Sequence, residues 1–119
     1  MELLDVYPTV AELCGLEGRP TNLHGASLKK LLDDPQAKWE RPAMSQMERL
    51  NQGKQIMGYS IRTERYRYSM WNRGAEGEEL YDYASDPREL KNLSGEAGAS
   101  GVKAGLQTEL ERMIENRRK

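Results

Sequence analysis

The stretch of residues 56–63 constrains the fold most, because its side chains alternate in character with a period of two. Bulky apolar or aromatic residues alternate there with small or charged ones, and such alternation predicts a β-strand with one buried face. The side chains expected on the buried face are Met57, Tyr59 and Ile61. Those expected on the opposite face are Gly58, Ser60 and Arg62.

A second strand is predicted directly after the first. Only Glu64 and Arg65 separate the two alternating runs, so the runs should form a tight antiparallel hairpin, although the turn lacks an Asn-Gly or Asp-Gly pair. The residues expected on the buried face of this second run are Tyr66, Tyr68 and Met70, with Arg65, Arg67, Ser69 and Trp71 opposite. We expect Tyr59, Tyr66 and Tyr68 to pack in the core rather than to stack on nucleic-acid bases.

Further strands and helices complete the predicted architecture. Residues 79–83 indicate a short strand, and residues 42–47 a first strand whose initial Pro42 favours a sheet edge. Apolar side chains at helical spacing predict helices over residues 6–14, 28–32 and 102–116, with Asp5 and Ser27 as caps and Gly15 at a C-terminal cap. We expect an α+β fold: a small antiparallel sheet of three to four strands, one or two short helices before it, and a C-terminal helix packed on one face.

The connecting segments are predicted from their composition. After the strand at residues 79–83, Asp86 suits a helix N-cap, Pro87 the first helical position and Glu89 the third, so a capped helical turn is expected. Residues 50–54 and 72–77 indicate polar loops, and the run SGEAGASG at 94–101 a mobile linker. The basic residues Arg117, Arg118 and Lys119 would oppose the dipole of the last helix.

Composition excludes several classes of function. The chain has 119 residues, a net charge of -1 and mixed charges that make up 31% of the sequence. That balance disfavours a nucleic-acid partner or an anionic membrane surface. The single cysteine excludes an internal disulfide. No apolar run reaches the roughly 18 residues that a membrane span needs, and no signal peptide is visible.

Several stretches resemble one enzyme family. The segments IMGYSIRT, YRYSMW and GEELYDYASDPRELKNL resemble the C-terminal subdomain of the type I sulfatases, and most closely the iduronate-2-sulfatase-like branch. The segments LLDVYPTVAELCGL and HGASLKKLL resemble the part of those enzymes that links the catalytic domain to that subdomain. The resemblance covers the chain from about Leu3 to Leu93. It implies that residues 1–35 are linking helices and that residues 36–119 are the α+β subdomain.

The resemblance also implies that the catalytic residues lie in the catalytic domain and not in this chain. The family attacks sulfate esters with a formylglycine made from a C/S-x-P-x-R motif and binds calcium through an aspartate cluster of the catalytic domain. Neither lies in this chain: Cys14 is followed by Gly15, Leu16 and Glu17, and is expected to be a small buried core residue. Asp33 and Asp34 are too few ligands for calcium, and His24, the only histidine, is expected in a surface loop. We therefore predict no catalytic residue, metal site or cofactor in the chain.

Substrate contacts are predicted at three positions. Arginine forks suit sulfate geometry, and Arg62 is the candidate on the strand. The favoured interpretation of Arg62, Arg65, Arg67 and Arg73 is nevertheless a salt bridge between strands or to the missing domain. Glu48 and Arg49 belong to a predicted loop over residues 48–54 that resembles a region near the family's substrate cleft, although a plain solvated loop is the favoured interpretation.

Two functions are open from the sequence. The favoured one is the C-terminal portion of a sulfatase, a sulfuric ester hydrolase acting on sulfated sugars, whose catalytic domain is the partner of this chain. The chain alone is then predicted to be inactive, and its parent enzyme to be periplasmic or otherwise exported. The alternative is a free-standing binding module without catalytic activity. Without the catalytic domain, the apolar stripe of the first helix is expected to pair two copies into a homodimer.

Overall fold

The computed structural model of the chain describes residues 1–18 and 20–117. These residues form two compact units, Met1–Arg41 and a second that begins at Pro42. No helix in the described part of the chain is both long enough and apolar enough to cross a membrane. Arg118 and Lys119, predicted to oppose the dipole of the last helix, lie outside the described residues.

The first unit contains two short helices. A 3-10 turn at Leu3–Asp5 leads into helix α1 at Val6–Leu13, and helix α2 spans Lys29–Asp33. Both helices begin and end within one residue of the prediction. Helix α1 ends as its glycine indicated: Gly15 has a φ of 62°, and its N–H and that of Leu16 donate to the carbonyls of Glu12 and Ala11 at 3.1 and 2.9 Å.

Two polar side chains of this unit tie α1 to the segment before α2. Asp5 was predicted to cap α1, but its buried carboxylate instead accepts the N–H groups of Glu2 and Ala26, at 2.8 and 2.9 Å. The Thr9 hydroxyl accepts the N–H of Leu28 at 2.9 Å. Gly25 makes this approach possible, because a Cβ at that position would lie 1.9 Å from the carbonyl oxygen of Leu4.

The apolar stripe of α1 points away from the interior of its unit. Leu3 is 91% exposed, and about half of each remaining side chain of the stripe is accessible: Val6, Tyr7, Val10 and Leu13. The residues buried instead are Asp5, Pro8, Thr9 and Ala11. Cys14 is exposed as well, so the prediction of a buried core cysteine is wrong. It follows Leu13 at the exposed end of the helix, where helical spacing alone could not tell which face is covered.

The second unit is a four-stranded antiparallel sheet in the order β1-β2-β3-β4, crossed by one helix. The strands are β1 at Ala43–Asn51, β2 at Lys54–Arg62, β3 at Tyr66–Trp71 and β4 at Glu78–Asp82, and helix α3 spans Ser100–Asn116. This confirms the α+β prediction. Strand β1 lies at the sheet edge, as its preceding proline indicated.

The predicted loop over residues 48–54 is wrong, because a long hairpin occupies that region. Strand β1 continues to Asn51 and pairs with Lys54, so only Gln52 and Gly53 form the turn. Both have positive φ, 50° and 79°, as a two-residue hairpin turn favours. Most of β1 is exposed on both faces. A strand that buries neither face needs no alternation of apolar and polar residues, so the sequence carried no sign of β1 beyond Met47.

The second hairpin was predicted at the right place, and its turn is closed by a side chain. The Thr63 N–H donates to the carbonyl of Tyr66 at 2.9 Å, and the Tyr66 N–H donates to the Thr63 hydroxyl at 2.9 Å. A two-residue turn at Glu64 and Arg65 therefore works without a glycine. It fixes the register of β2 on β3, which places Gly58 opposite Trp71.

The segment after β4 is a turn and not a helix, so the predicted helical turn is wrong. The Glu89 N–H donates to the Asp86 carbonyl at 3.2 Å, but Glu89 then adopts a φ of 56°, which stops helical growth. The Glu89 carboxylate binds Arg67 and the Tyr83 hydroxyl instead of closing a capping box. Asp86 still organises the loop, since its carboxylate accepts the Lys91 N–H at 2.8 Å, and such hydrogen bonds hold its pKa below the usual range.

Two predicted loops contain more structure than their composition indicates. Residues 72–77 include a 3-10 turn at Asn72–Gly74, and the Trp71 N–H donates to the Gly77 carbonyl at 3.0 Å. The glycine-rich linker predicted at 94–101 includes a 3-10 turn at Ala97–Ala99, and α3 begins at Ser100. The Ser94 hydroxyl donates to the Glu78 carbonyl at 3.0 Å, so the segment is attached to β4.

The core lies between α3 and one face of the sheet. Its buried residues are Met44, Ile61, Tyr68, Met70 and Leu80 from the strands and Leu106, Leu110 and Ile114 from the helix. Tyr59 and Tyr66 pack against this cluster, so all three tyrosines lie in or on the core, as predicted. We call the opposite face of the sheet the far face. Among its residues are Met47, Arg49, Gly58, Ser60, Arg62, Arg67, Ser69, Trp71, Glu79 and Tyr81.

The pairing of Arg65 with Asp82 should appear in the pH dependence of stability. Arg65 donates from Nε and Nη2 to the two carboxylate oxygens at 2.9 and 2.8 Å, which lowers the pKa of Asp82 to about 2. A carboxyl whose pKa falls on folding stabilises the fold above its unfolded pKa, and this contribution is lost as the pH falls through the folded value. We expect the urea midpoint of the wild-type chain to fall between about pH 4 and pH 2, and the midpoint of Asp82→Asn to fall less over the same range. Parallel pH profiles for the two proteins would contradict the assignment.

Gly25→Ala should disrupt the first unit, because the new methyl group would overlap the backbone of Leu4 and Asp5. We expect a destabilisation of about 1–3 kcal/mol and faster hydrogen exchange at the Ala26 and Leu28 amides, measured by NMR. Gly105→Ala is the matched control, since a Cβ there meets no atom within 4 Å and the residue lies inside α3. Unchanged hydrogen exchange at both amides in Gly25→Ala would show that the backbone at residue 25 does not lie tightly against that of Leu4.

Candidate functional site

The candidate nucleophiles and metal ligands are scattered. Within residues 1–18 and 20–117, no group of three or more histidine, cysteine, aspartate or glutamate side chains could hold a metal ion. Asp33 pairs with Lys29, and the Asp34 carboxylate accepts the Gln36 N–H at 3.0 Å. His24 is exposed, as expected, and its carbonyl accepts Arg41 Nη2 at 2.9 Å. These residues do not fit a calcium site in this chain.

A groove of the second unit lies beside the start of α3 and has a volume of about 350 Å³. Its apolar lining includes Leu80, Leu93 and Val102, and its charged lining is Arg65, Asp82, Lys91 and Glu96. The four charges form two ion pairs, Arg65 with Asp82 and Lys91 with Glu96, at 2.8 and 3.0 Å. Because each charge is matched within the chain, the groove indicates no particular charged ligand.

Cationic side chains stacked on aromatic rings are the main chemical feature of the sheet. The guanidinium carbons of four arginines lie within 5.2 Å of a ring centroid, in the pairs Arg49–Trp71, Arg62–Tyr83, Arg65–Tyr66 and Arg67–Tyr81. Such contacts hold a guanidinium in place without using its N–H donors. What each arginine can still bind therefore depends on where those donors point.

Arg62 directs its donors at the backbone. Its Nη1 donates to the carbonyls of Thr63, Glu64 and Tyr66, the last two at 3.2 and 3.5 Å. The Tyr83 ring lies 3.5 Å beneath the guanidinium. The residue thus clamps the turn between β2 and β3, a different structural role from the interstrand salt bridge that the sequence suggested.

Arg67 carries the ion pair expected of a strand arginine. Its Nη2 binds Glu89 and lies 4.0 Å from Glu79. Its Nε is buried without a hydrogen-bond partner. Because Glu89 also accepts the Tyr83 hydroxyl, which raises the pKa of Tyr83, the pair joins β3 to the loop after β4. With the Arg65–Asp82 pair, two of the four candidate arginines form ion pairs, and Arg73 is exposed in the turn between β3 and β4.

Arg49 lies at the other end of the sheet, in a layered arrangement. Its guanidinium is 4.0 Å from the centroid of Trp71, and Nη2 donates to the Glu76 carbonyl at 3.4 Å. The Trp71 ring in turn lies against Gly58, where a Cβ would come within 2.5 Å of a ring carbon. A tryptophan over a strand glycine covers backbone that would otherwise be bare. The sequence interpretation placed Gly58 and Trp71 opposite the buried residues but did not identify their contact, although the two-residue turn at 64–65 already implied that they face each other.

The three predicted substrate contacts do not converge. Glu48 and Arg49 are neighbours in β1, so their side chains point to opposite faces of the sheet. Arg49 pairs with Ile56, and Ile56 lies six residues before Arg62 in β2. The two arginines are therefore about 20 Å apart along the strand direction. One small ligand cannot contact both arginines. The structure places them separately, and each remains a prediction.

Comparison with known proteins identifies the family. The model of the family described as N-sulphoglucosamine sulphohydrolase, C-terminal, matches residues 1–116. Arylsulfatase K of Mus musculus is 32% identical over 81% of this chain and 18% of its own length. The Delta 4,5-hexuronate-2-O-sulfatase of Bacteroides thetaiotaomicron is 33% identical over 85% of this chain and 21% of its own.

A solved structure agrees with these relatives. A protein crystallised with its substrate D-glucosamine-2-N,6-O-disulfate superposes with a TM-score of 0.78 and 28% identity, covering 96% of this chain and 24% of that one. The chain thus spans about a fifth of the length of the curated relatives it matches. The predicted resemblance to the C-terminal part of type I sulfatases is confirmed, and the chain belongs to the family of sulfatase C-terminal domains.

Proposed function

We propose that this chain is the C-terminal portion of an enzyme that hydrolyses sulfate esters of sugars. The observation that carries the proposal is the family match over residues 1–116. The names of two relatives support a sugar substrate: one is a Delta 4,5-hexuronate-2-O-sulfatase and one an N-acetylglucosamine-6-O-sulfatase. The first of these also agrees with the iduronate-2-sulfatase-like features of the sequence, so a 2-O-sulfated uronate is our narrower proposal.

The reaction itself belongs to a catalytic domain that is the partner of this chain. The C/S-x-P-x-R motif that yields formylglycine does not occur in the 119 residues, and the described residues offer no metal cluster. Calcium would therefore be held by the catalytic domain, where it would stabilise the sulfate charge. The α+β subdomain, residues 36–119, would form one wall of the substrate cleft, and residues 1–35 would link it to the catalytic domain.

Among the three proposed substrate contacts, Arg49 is favoured by its chemistry. It is exposed, it is held on a ring, and most of its donors are free of contacts within the described chain. Arg62 already donates to three carbonyls. Glu48 lies on the other sheet face and would repel a sulfate, so it could contact only a hydroxyl or an amine of the sugar.

The exposed stripe of α1 is proposed as a contact for the catalytic domain. The stripe is a contiguous exposed apolar patch, and patches of this kind mark interaction sites more often than single exposed apolar side chains do. Its residues are Leu3, Val6, Tyr7, Val10 and Leu13. In the absence of that domain the same stripe would pair two copies of the chain about a two-fold axis. The parent enzyme is proposed to be exported, and a free-standing binding module remains the alternative function.

The proposal predicts that activity requires the catalytic domain. We expect the 119-residue chain with added calcium to leave an aryl sulfate intact, because it has no nucleophile motif. A protein that carries a C/S-x-P-x-R domain in frame before residue 1 should hydrolyse the ester, and replacing the motif's Cys or Ser by Ala should abolish this. Turnover that copurifies with the isolated chain would contradict the proposal. A stop codon directly before Met1 in the gene would favour the binding module.

Self-association of the isolated chain tests the exposed stripe. We expect sedimentation equilibrium at high micromolar concentration to show a monomer–dimer equilibrium, and Val10→Glu to shift it to monomer by placing a charge in the stripe. Glu12→Gln, also exposed on α1 but outside the stripe, is the matched control and should still dimerise. A wild-type chain that stays monomeric would contradict pairing through α1.

A further inference from the structure

Arg49 differs from the other ring-stacked arginines in what its donors contact. Arg65 binds both oxygens of Asp82, Arg67 binds Glu89, and Arg62 binds backbone carbonyls. Besides its stack on Trp71, Arg49 makes one hydrogen bond within the described residues, at 3.4 Å to the Glu76 carbonyl. A guanidinium carries five N–H groups. Arg49 therefore keeps most of its planar donor edge for a group outside this chain.

The Arg49 guanidinium is held in place by the ring of Trp71, on the side that faces the sheet. Trp71 holds the guanidinium at 4.0 Å from its ring centroid, and the ring itself rests on Gly58, which leaves no room for a Cβ. Stacking on a ring uses the face of the guanidinium and leaves the N–H groups in its plane. The three residues thus form a stack that orients an arginine before any ligand arrives, which reduces the ordering cost of binding.

A second cation lies beside the stack. Arg49 pairs with Ile56, so Lys54 is its diagonal neighbour on the far face, about 7–8 Å away and within reach of two long side chains. The Lys54 side chain is 68% exposed, and its ammonium lies 3.9 Å from the Glu76 carboxylate. Arg49 and Lys54 therefore bring two cations to this end of the sheet, with the Glu76 carboxylate near Lys54, and an added anion would be attracted to the two cations.

We propose that Arg49 and Lys54, with Arg49 held in place by Trp71 and Gly58, form a binding site for the sulfate group of a sulfated sugar. The choice of a sulfated ligand rests on the proposed function, whereas the anion site itself rests on the stack. The Arg49 fork would hold two sulfate oxygens, and Lys54 would add a point charge from the side. Trp71 is a positioning residue, since it acts through Arg49.

The test is an NMR titration of the full 119-residue chain with N-acetylglucosamine 6-sulfate. N-acetylglucosamine and sodium chloride of matched ionic strength are the controls. We expect saturable shifts of the Arg49 Nε–H and Trp71 indole N–H signals with the sulfated sugar and with neither control. Sodium sulfate should shift the same signals, because it carries the bound group without the sugar. No saturable shift, or equal shifts with the unsulfated sugar, would overturn the proposal.

Variants separate positioning from mere charge. Arg49→Gln should abolish the saturable shift of the indole signal. Arg88→Gln removes one exposed arginine elsewhere in the chain and should leave binding unchanged. Trp71→Leu should weaken binding about two- to fivefold through loss of the stack, and Trp71→Phe should restore part of it. Equal affinity in Trp71→Leu and wild type, with both folded by their amide spectra, would overturn the positioning role.

Failure of the anion site and failure of the sulfatase proposal can be distinguished by experiment. Binding is measured on this chain without a catalytic domain, so a failed titration removes the anion site while hydrolysis by the longer protein can still be observed. Conversely, saturable sulfate binding combined with no hydrolysis by the longer protein would leave the site in place and overturn the proposed function.

Discussion

The second unit depends on the burial of one sheet face beneath α3. The chain contains no phenylalanine, so the core is built from aliphatic side chains, methionine and one fully buried tyrosine. Leu106, Leu110 and Ile114 recur every four residues along α3 and cover Ile61, Tyr68, Met70 and Leu80. Burying each such side chain contributes roughly 1.5–3 kcal/mol. Without that cover, the apolar face of the sheet would be exposed to water.

The buried tyrosine shows how a polar group is accommodated in this core. The Tyr68 hydroxyl donates to Glu78, and Lys103 from α3 donates to the same carboxylate at 3.1 Å. Burial and the Glu78 contact raise the pKa of Tyr68, and the hydroxyl's hydrogen bond lowers that of Glu78. The Glu78 carboxylate on β4 thus joins the Tyr68 hydroxyl of β3 to Lys103 of α3.

The far face of the sheet is organised by different forces. Three arginines of this face lie over aromatic rings: Arg62 is bound by backbone carbonyls and Arg67 by a carboxylate of this chain, whereas Arg49 donates to the Glu76 carbonyl alone among the described residues. These contacts join neighbouring strands and the loops that follow them. The stack at Arg49 uses the same attraction but leaves most of its N–H donors without a partner among the described residues. One type of contact therefore supports both the architecture and the proposed ligand site.

Sequence reasoning predicted elements where the apolar pattern was strong. Strands β2 and β3, their two-residue turn, the three helices and the end of α1 at Gly15 were all predicted within about two residues. Strand β1 beyond Met47 was missed because an edge strand exposed on both faces carries no alternation. The turn after Asp86 was mistaken for a helix because the capping residues were right, while Glu89 was drawn away by Arg67 and Tyr83.

The sequence by itself determined the fold class, the hairpin register that sets Gly58 opposite Trp71, and the family, because these follow from local periodicity and short motifs. Only the tertiary structure decided which arginines are free. Arg49, Arg62, Arg65 and Arg67 look alike in the sequence, and their donors are assigned by residues such as Glu76, Asp82 and Glu89 from other strands and loops. The exposure of Cys14 was decided in the same way, since a helix shows an apolar stripe whether or not anything covers it.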